Sequence, residues 1–159
     1  MSALDRHDHA SLCRKPSPES WSLGQVYSHL LLTTTSIVDE AAPIALEDCS
    51  KNAGKGVIFV GRLILFFGFP PVRIRTPKGV NPEPPPPLSI DQLRKDFETI
   101  VKKIEDLAKR VDQAPCSGRT KHPRIGYLTA KQWMRFIEVH WKHHLRQKGR
   151  IEKAPAASG

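Results

Sequence analysis

The stretch Gln132-Trp133-Met134-Arg135-Phe136-Ile137-Glu138-Val139-His140-Trp141-Lys142-His143-His144-Leu145-Arg146-Gln147 decides how the chain reads. At about 100° per residue, Phe136, Ile137, His140, His144 and Gln147 all fall within roughly 60° of Trp133. The stretch is therefore one amphipathic helix whose inward stripe changes from apolar residues to histidine partway along. His140 and His144 stand one turn apart on that stripe, so their nitrogens can converge on one point, as a divalent metal requires. His143 lies off the stripe at about 280° and is set apart from the pair. Two buried imidazoles in adjacent turns also admit a plainer reading, a hydrogen-bonded pair of core histidines.

Working outward, Thr129-Ala-Lys-Gln132 opens this helix with the pattern of a capping box, and Ser22-Leu-Gly-Gln25 and Ser89-Ile-Asp-Gln92 open two more. The helix after Ser22 carries Val26, Leu30, Thr33, Ile37 and Ala41 on a stripe, with His29 on its shoulder, until Pro43 ends or kinks it. The helix after Ser89 repeats Ile90, Leu93, Phe97, Ile100, Val101, Ile104, Leu107, Ala108 and Val111 at spacings of three and four. Pro115 and Gly118 close it, and no histidine interrupts it, so it reads as scaffold.

Residues 1–20 read as a polar terminus with a weak helix over Ser2 to Cys13, in which His7 and His9 flank Asp8. Val57 to Phe69 is continuously apolar; with no second strand to pair with it, it reads as a helix packed on the core. Residues 70–87 are Pro-rich and end in Pro84-Pro85-Pro86-Pro87, a stiff extended crossover. His122 to Tyr127 reads as a loop. The expectation is one all-α domain over 1–159, with an ordered core over about 20–151. Its form is a four-helix bundle with one long Pro-rich crossover between helices 2 and 3.

The chain has 25 Lys and Arg against 16 Asp and Glu, a net charge of +9, concentrated after Ser117. A solvated basic face explains this; stacking on bases would need exposed rings, and Trp133 and Phe136 point inward, so nucleic acid is not expected as a partner. Neither a signal-peptide core nor a membrane-length apolar run is present, so a cytoplasmic protein off the membrane is expected. Cys13, Cys49 and Cys116 are far apart with no Cys-x-x-Cys pair, which reads as reduced thiols and neither a disulfide framework nor a thiolate zinc site.

His29 is the other histidine within a well-patterned helix and so the natural third ligand for His140 and His144. Three imidazoles around Zn²⁺ or Ni²⁺ leave coordination positions open for water or substrate, the mark of a catalytic rather than a structural site. Gln147 follows His144 on the stripe and is a candidate to support a ligand or to bond substrate. Glu138 points away from the stripe and Glu40 is about three turns beyond His29, so no general base is evident.

Trp21-Ser-Leu-Gly-Gln-Val-Tyr-Ser-His29-Leu resembles the start of the second helix of DinB-like proteins. Leu128 through Gln147, with His140, His143, His144 and the His-His-Leu-Arg-Gln ending, resembles their last helix. Within that superfamily the chain is most similar to a branch of unknown function with a Pro-rich crossover. The resemblance implies a four-helix bundle in which His29, His140 and His144 bind a divalent metal, commonly nickel or zinc, and in which homodimers are frequent. It also implies a small-molecule substrate and a thiol-dependent transferase or isomerase using bacillithiol, mycothiol or glutathione. A metal-dependent hydrolase using the same residues, and a non-enzymatic bundle with a structural or empty histidine cluster, stand beside it.

Overall fold

The computed structural model describes residues 3–70 and 86–154. After a 3-10 turn at Ala3–Arg6, the elements are α1 (His9–Cys13), α2 (Leu23–Ser36), α3 (Ala42–Glu47), α4 (Phe59–Phe67), α5 (Ile90–Gln113), β1 (Thr120–His122), β2 (Gly126–Leu128) and α6 (Ala130–Lys153). A π-helical turn at Ile37–Ala41 joins α2 to α3, so the helix opened by Ser22 runs on past Pro43. Proline lacks an N–H and its ring clashes with the preceding turn, and a widened turn absorbs both.

The protein is mainly helical. Three long helices pack together, α2 continued by α3, α5 and α6, while α1 and α4 are short. The all-α expectation holds in its coarse form, and a small antiparallel sheet that it did not include is added to the helices. β1 and β2 pair Thr120 with Leu128 and His122 with Gly126, and Gly126 also bridges to Val57. The stretch read as a loop is thus a hairpin turn that the apolar segment leans on. The Pro-rich crossover expectation lies, for residues 71–85, outside the described residues.

Complete capping boxes start α2 and α6, with Ser22 and Thr129 each bonded reciprocally to the glutamine three residues on. At α5 the box is half made. Ser89 accepts from the Gln92 amide, but the Gln92 side chain donates to Asp96 instead. Along α5 the fully buried positions are Leu93, Ile100 and Leu107, one per heptad, a narrow seam rather than a broad stripe.

Helix direction follows from cross-helix pairs. Trp21, at the head of α2, stacks on His144, while Thr34, near its end, accepts a hydrogen bond from the Trp141 indole at 2.9 Å, so α2 and α6 run antiparallel. Tyr27 packs edge-on against Phe97 and Asp39 pairs with Lys103, so α2 and α5 run parallel. Two parallel helices require a connection that returns along their whole length. Its arrival is marked by Pro86, whose carbonyl accepts from Ser28 near the start of α2.

The core extends further toward the N-terminus than expected, because Leu4 and Leu12 are buried in it. His7 pairs with Glu152 at 3.2 Å, and exposed His9 lies beside Cys13, the described cysteine that is free. The expectation of reduced thiols is corrected for Cys49 and Cys116, which are disulfide-bonded across a sequence separation of 67. The bond ties the end of α3 to the end of α5. Parallel packing makes those two ends neighbours, which spacing along the sequence does not reveal. The helical expectation for Val57 to Phe69 holds over α4. The helix packs on the core along one side only, through Gly61, Ile64 and Leu65, while Phe59, Phe66 and Phe67 on the other are each about three-quarters exposed, at 74%, 75% and 76%. Among the described residues no helix is long and apolar enough to cross a membrane.

Candidate metal centre

Antiparallel packing of α2 on α6 brings the shoulder of one stripe onto the histidine portion of the other. His29 Nε2 lies 3.3 Å from His140 Nε2, and His144 Nε2 lies 3.1 Å from the same atom. One ligand atom from each of the three rings falls within 4.8 Å of the other two. Metal–imidazole bonds are about 2.0–2.1 Å long, so two nitrogens on a tetrahedral ion stand about 3.3 Å apart. The two spacings match that edge.

Gln147 sets the tautomer. Its Oε1 lies 2.8 Å from His144 Nδ1. With the proton held there, His144 presents its Nε2 lone pair to the cluster. Aromatic rings brace the imidazoles. Trp21 lies parallel to His144 and edge-on to His29, with centroid distances of 6.1 and 5.1 Å. Phe136 stacks on His140 at 5.3 Å. The Trp-Ser pair thus divides its labour: Ser22 caps α2, and Trp21, one residue earlier, walls the cluster.

The site keeps its histidines neutral. Burial, then the neighbouring His144 and His29, pushes His140 down to about 2. Burial and His29 push His144 to about 3, against the Gln147 hydrogen bond, which acts the other way. Half-buried His29 is lowered too, by burial and then by His143. A neutral imidazole is the form that binds a metal.

His143, set apart from the pair, lies beside the cluster without joining it. Its ring is 4.8 Å from Phe69 and 5.0 Å from His144. Burial lowers its affinity for a proton, and so do the charges of Arg146 and Arg150. Phe69 reaches this position because Gly68 ends α4 at φ 83°, in the left-handed region that glycine tolerates. Arg146 holds the Phe69 carbonyl with a hydrogen bond of 2.9 Å.

His122 carries a signal that the loop reading missed. Its Nδ1 accepts from the Arg124 and Ile125 amides at 3.0 and 3.3 Å, and its ring packs edge-on against Phe136 at 4.6 Å. Nδ1 serves the turn, so the proton sits on Nε2. His122 is one stacked ring removed from His140. Neither Glu40 nor Glu138 joins the site. Glu40 is exposed, and Glu138 is paired with Arg135 and Lys142 on the outer side of α6.

Such a molecule is a helical protein whose inner face gathers three neutral imidazoles at metal-binding spacing. The chain belongs to the DinB superfamily, whose family model matches residues 1–147. No curated protein and no solved structure matches it.

Proposed function

We propose that His29, His140 and His144 hold a divalent cation, zinc or nickel, and that the protein is a metal-dependent enzyme acting on a small molecule. The reaction class that fits best is transfer of a low-molecular-weight thiol, of the bacillithiol, mycothiol or glutathione kind, to an electrophilic carbon. The observation that carries this reading is the pair of Nε2 spacings, 3.3 and 3.1 Å, at the edge length of a tetrahedral site. Three protein ligands leave a position open, as catalytic sites do.

A bound cation supplies acidity, lowering the pKa of a thiol or water so that a nucleophile exists near neutral pH. The chain's own residues do the rest. Gln147 keeps His144 in the ligating tautomer. Trp21 and Phe136 exclude water from two sides, which strengthens electrostatic interactions between them. His29 is the least buried of the three imidazoles, and His143 lies beside His144 with Phe69 against it. His143 is held short of protonation by burial and by the nearby guanidinium groups. The scaffold is read as a four-helix bundle with one long crossover, its first member reduced to α1. A cytoplasmic setting suits thiol chemistry.

A hydrolase would use the same three histidines. A purely structural cluster is the second reading, favoured by the burial of His140 and His144 and by contacts that neutral imidazoles can also make as hydrogen bonds. Elemental analysis of the purified protein beside His29→Ala and His144→Ala separates these. The proposal expects about one equivalent of metal in the wild type and loss in both variants. Equal metal content in all three sinks it. With metal present, a panel of thiols and electrophiles, with turnover abolished by chelation, distinguishes transferase from structural site.

A further inference from the structure

Helix α4 meets the rest of the molecule along one narrow side. Gly61 lies against Val57 and Ile125, where an added Cβ would come within 2.6 and 2.7 Å of their side chains. Ile64 and Leu65 are half-buried on either side of it. At about 100° per residue the opposite arc runs Arg62, Phe66, Phe59, Leu63, Phe67, Val60, about 160° wide. Beside the three exposed phenylalanines, Val60 is 57%, Ile58 50% and Leu63 42% exposed. Together they leave on the order of 600 Å² of contiguous apolar surface, at the upper end of what monomers show.

We propose that this face is the interface between two copies of the chain, paired about a two-fold axis with α4 against α4. The resemblance to the family implies dimers without naming a face, and the proposal does not depend on the metal. The uncovered area is close to the roughly 800 Å² that each partner gives to a stable interface, and a two-fold contact uses one patch twice. The face is preformed. Arg135 donates to the carbonyls of Leu65 and Phe66 at the end of α4, and Phe66 and Phe67 pack edge-to-face at 4.7 Å. Its rim favours a protein partner over a lipid surface. Arg135 and Lys142 both pair with Glu138, so the rim carries both signs, and Arg62 on the arc donates to the Val57 carbonyl. A membrane-binding helix presents free cations of one sign to anionic headgroups.

The test is sedimentation equilibrium of the full chain as wild type, as Phe59→Glu/Phe66→Glu, and as Val101→Glu on exposed α5. The expected masses are twice 17.9 kDa for wild type and Val101→Glu, and 17.9 kDa for the double variant with an unchanged helical circular dichroism spectrum. A wild type that is monomeric at high micromolar concentration overturns the proposal, as does a double variant that stays dimeric. Pelleting of monomeric wild type with phosphatidylserine-containing vesicles, lost in the double variant, overturns it in favour of a membrane.

Discussion

Gln147 and His144 are joined through Oε1 and Nδ1 at 2.8 Å, one turn apart on α6, with the His144 Nε2 turned into the cluster. The bond fixes which nitrogen is free. Outer partners of this kind typically change metal affinity by about 10–100-fold when removed. Gln147→Leu is therefore expected to weaken zinc binding by about that factor in a competition titration with a chromophoric chelator. Gln147→Glu, which keeps an acceptor, should restore most of it. Equal affinity in Gln147→Leu and wild type would show that the bond has no bearing on a metal.

Binding to the folded state alone raises stability by mass action. At free metal about 100-fold above Kd the gain is about 2.7 kcal/mol, or a rise in Tm of roughly 5–10 °C for a chain of this size. Zinc or nickel should shift thermal unfolding of the metal-free protein upward, and the shift should vanish in His29→Ala. An unmoved midpoint across a metal titration contradicts the metal centre.

Acid should destabilise the metal-free protein. His122 is pushed from 6.5 to about 4, by burial first and then by Arg124. Above pH 6.5 it is neutral both folded and unfolded, and nothing changes. Between 6.5 and 4 the unfolded chain binds a proton that the folded chain refuses, so stability falls as pH falls. His140 and His144, held near 2 and 3, act in the same direction and carry the decline lower. The urea midpoint should drop steadily from pH 6.5 to 4, less steeply in His122→Asn. A midpoint independent of pH over that window refutes this account.

Oxidation state should set a second part of the stability. Closing a loop of 67 residues between Cys49 and Cys116 constrains the unfolded chain by about 4 kcal/mol in the chain-entropy view. Cys49→Ser is expected to lose a large share of that under oxidising conditions and to match wild type once dithiothreitol is added. A deficit that persists in reductant would assign the effect to packing.

Packing of α4 rests on the absence of a side chain at one position. Gly61→Val would press against Val57 and Ile125, lifting the helix at a cost of about 1–3 kcal/mol. The change should appear as faster amide exchange in α4 with α6 unaffected.

The helices and the histidine triad were legible because both follow the period of one helix at a time. His140, His144 and Gln147 share a face by spacing alone, and caps at Ser22 and Thr129 are local chemistry. What stayed hidden depends on contacts between distant segments. The Cys49–Cys116 bond needs two parallel helix ends to meet, and the hairpin around His122 is three residues per strand, too short for alternation to announce it. The apolar run of α4 showed its composition but not its neighbours, and hydrophobicity alone does not distinguish a core helix from one awaiting a partner. Pro43 left open whether the helix ends or kinks, and a π turn at Ile37–Ala41 carries the chain past it.

His140 and His144 belong to one turn of one helix, whereas His29 lies 111 residues before His140. Two of the three imidazoles share one helix as soon as α6 winds, and the third arrives only when α2 docks against it. An ion bound as proposed would therefore meet a weak two-point anchor first and a complete cage last. Its grip would tighten in the same step that commits the chain to its final topology.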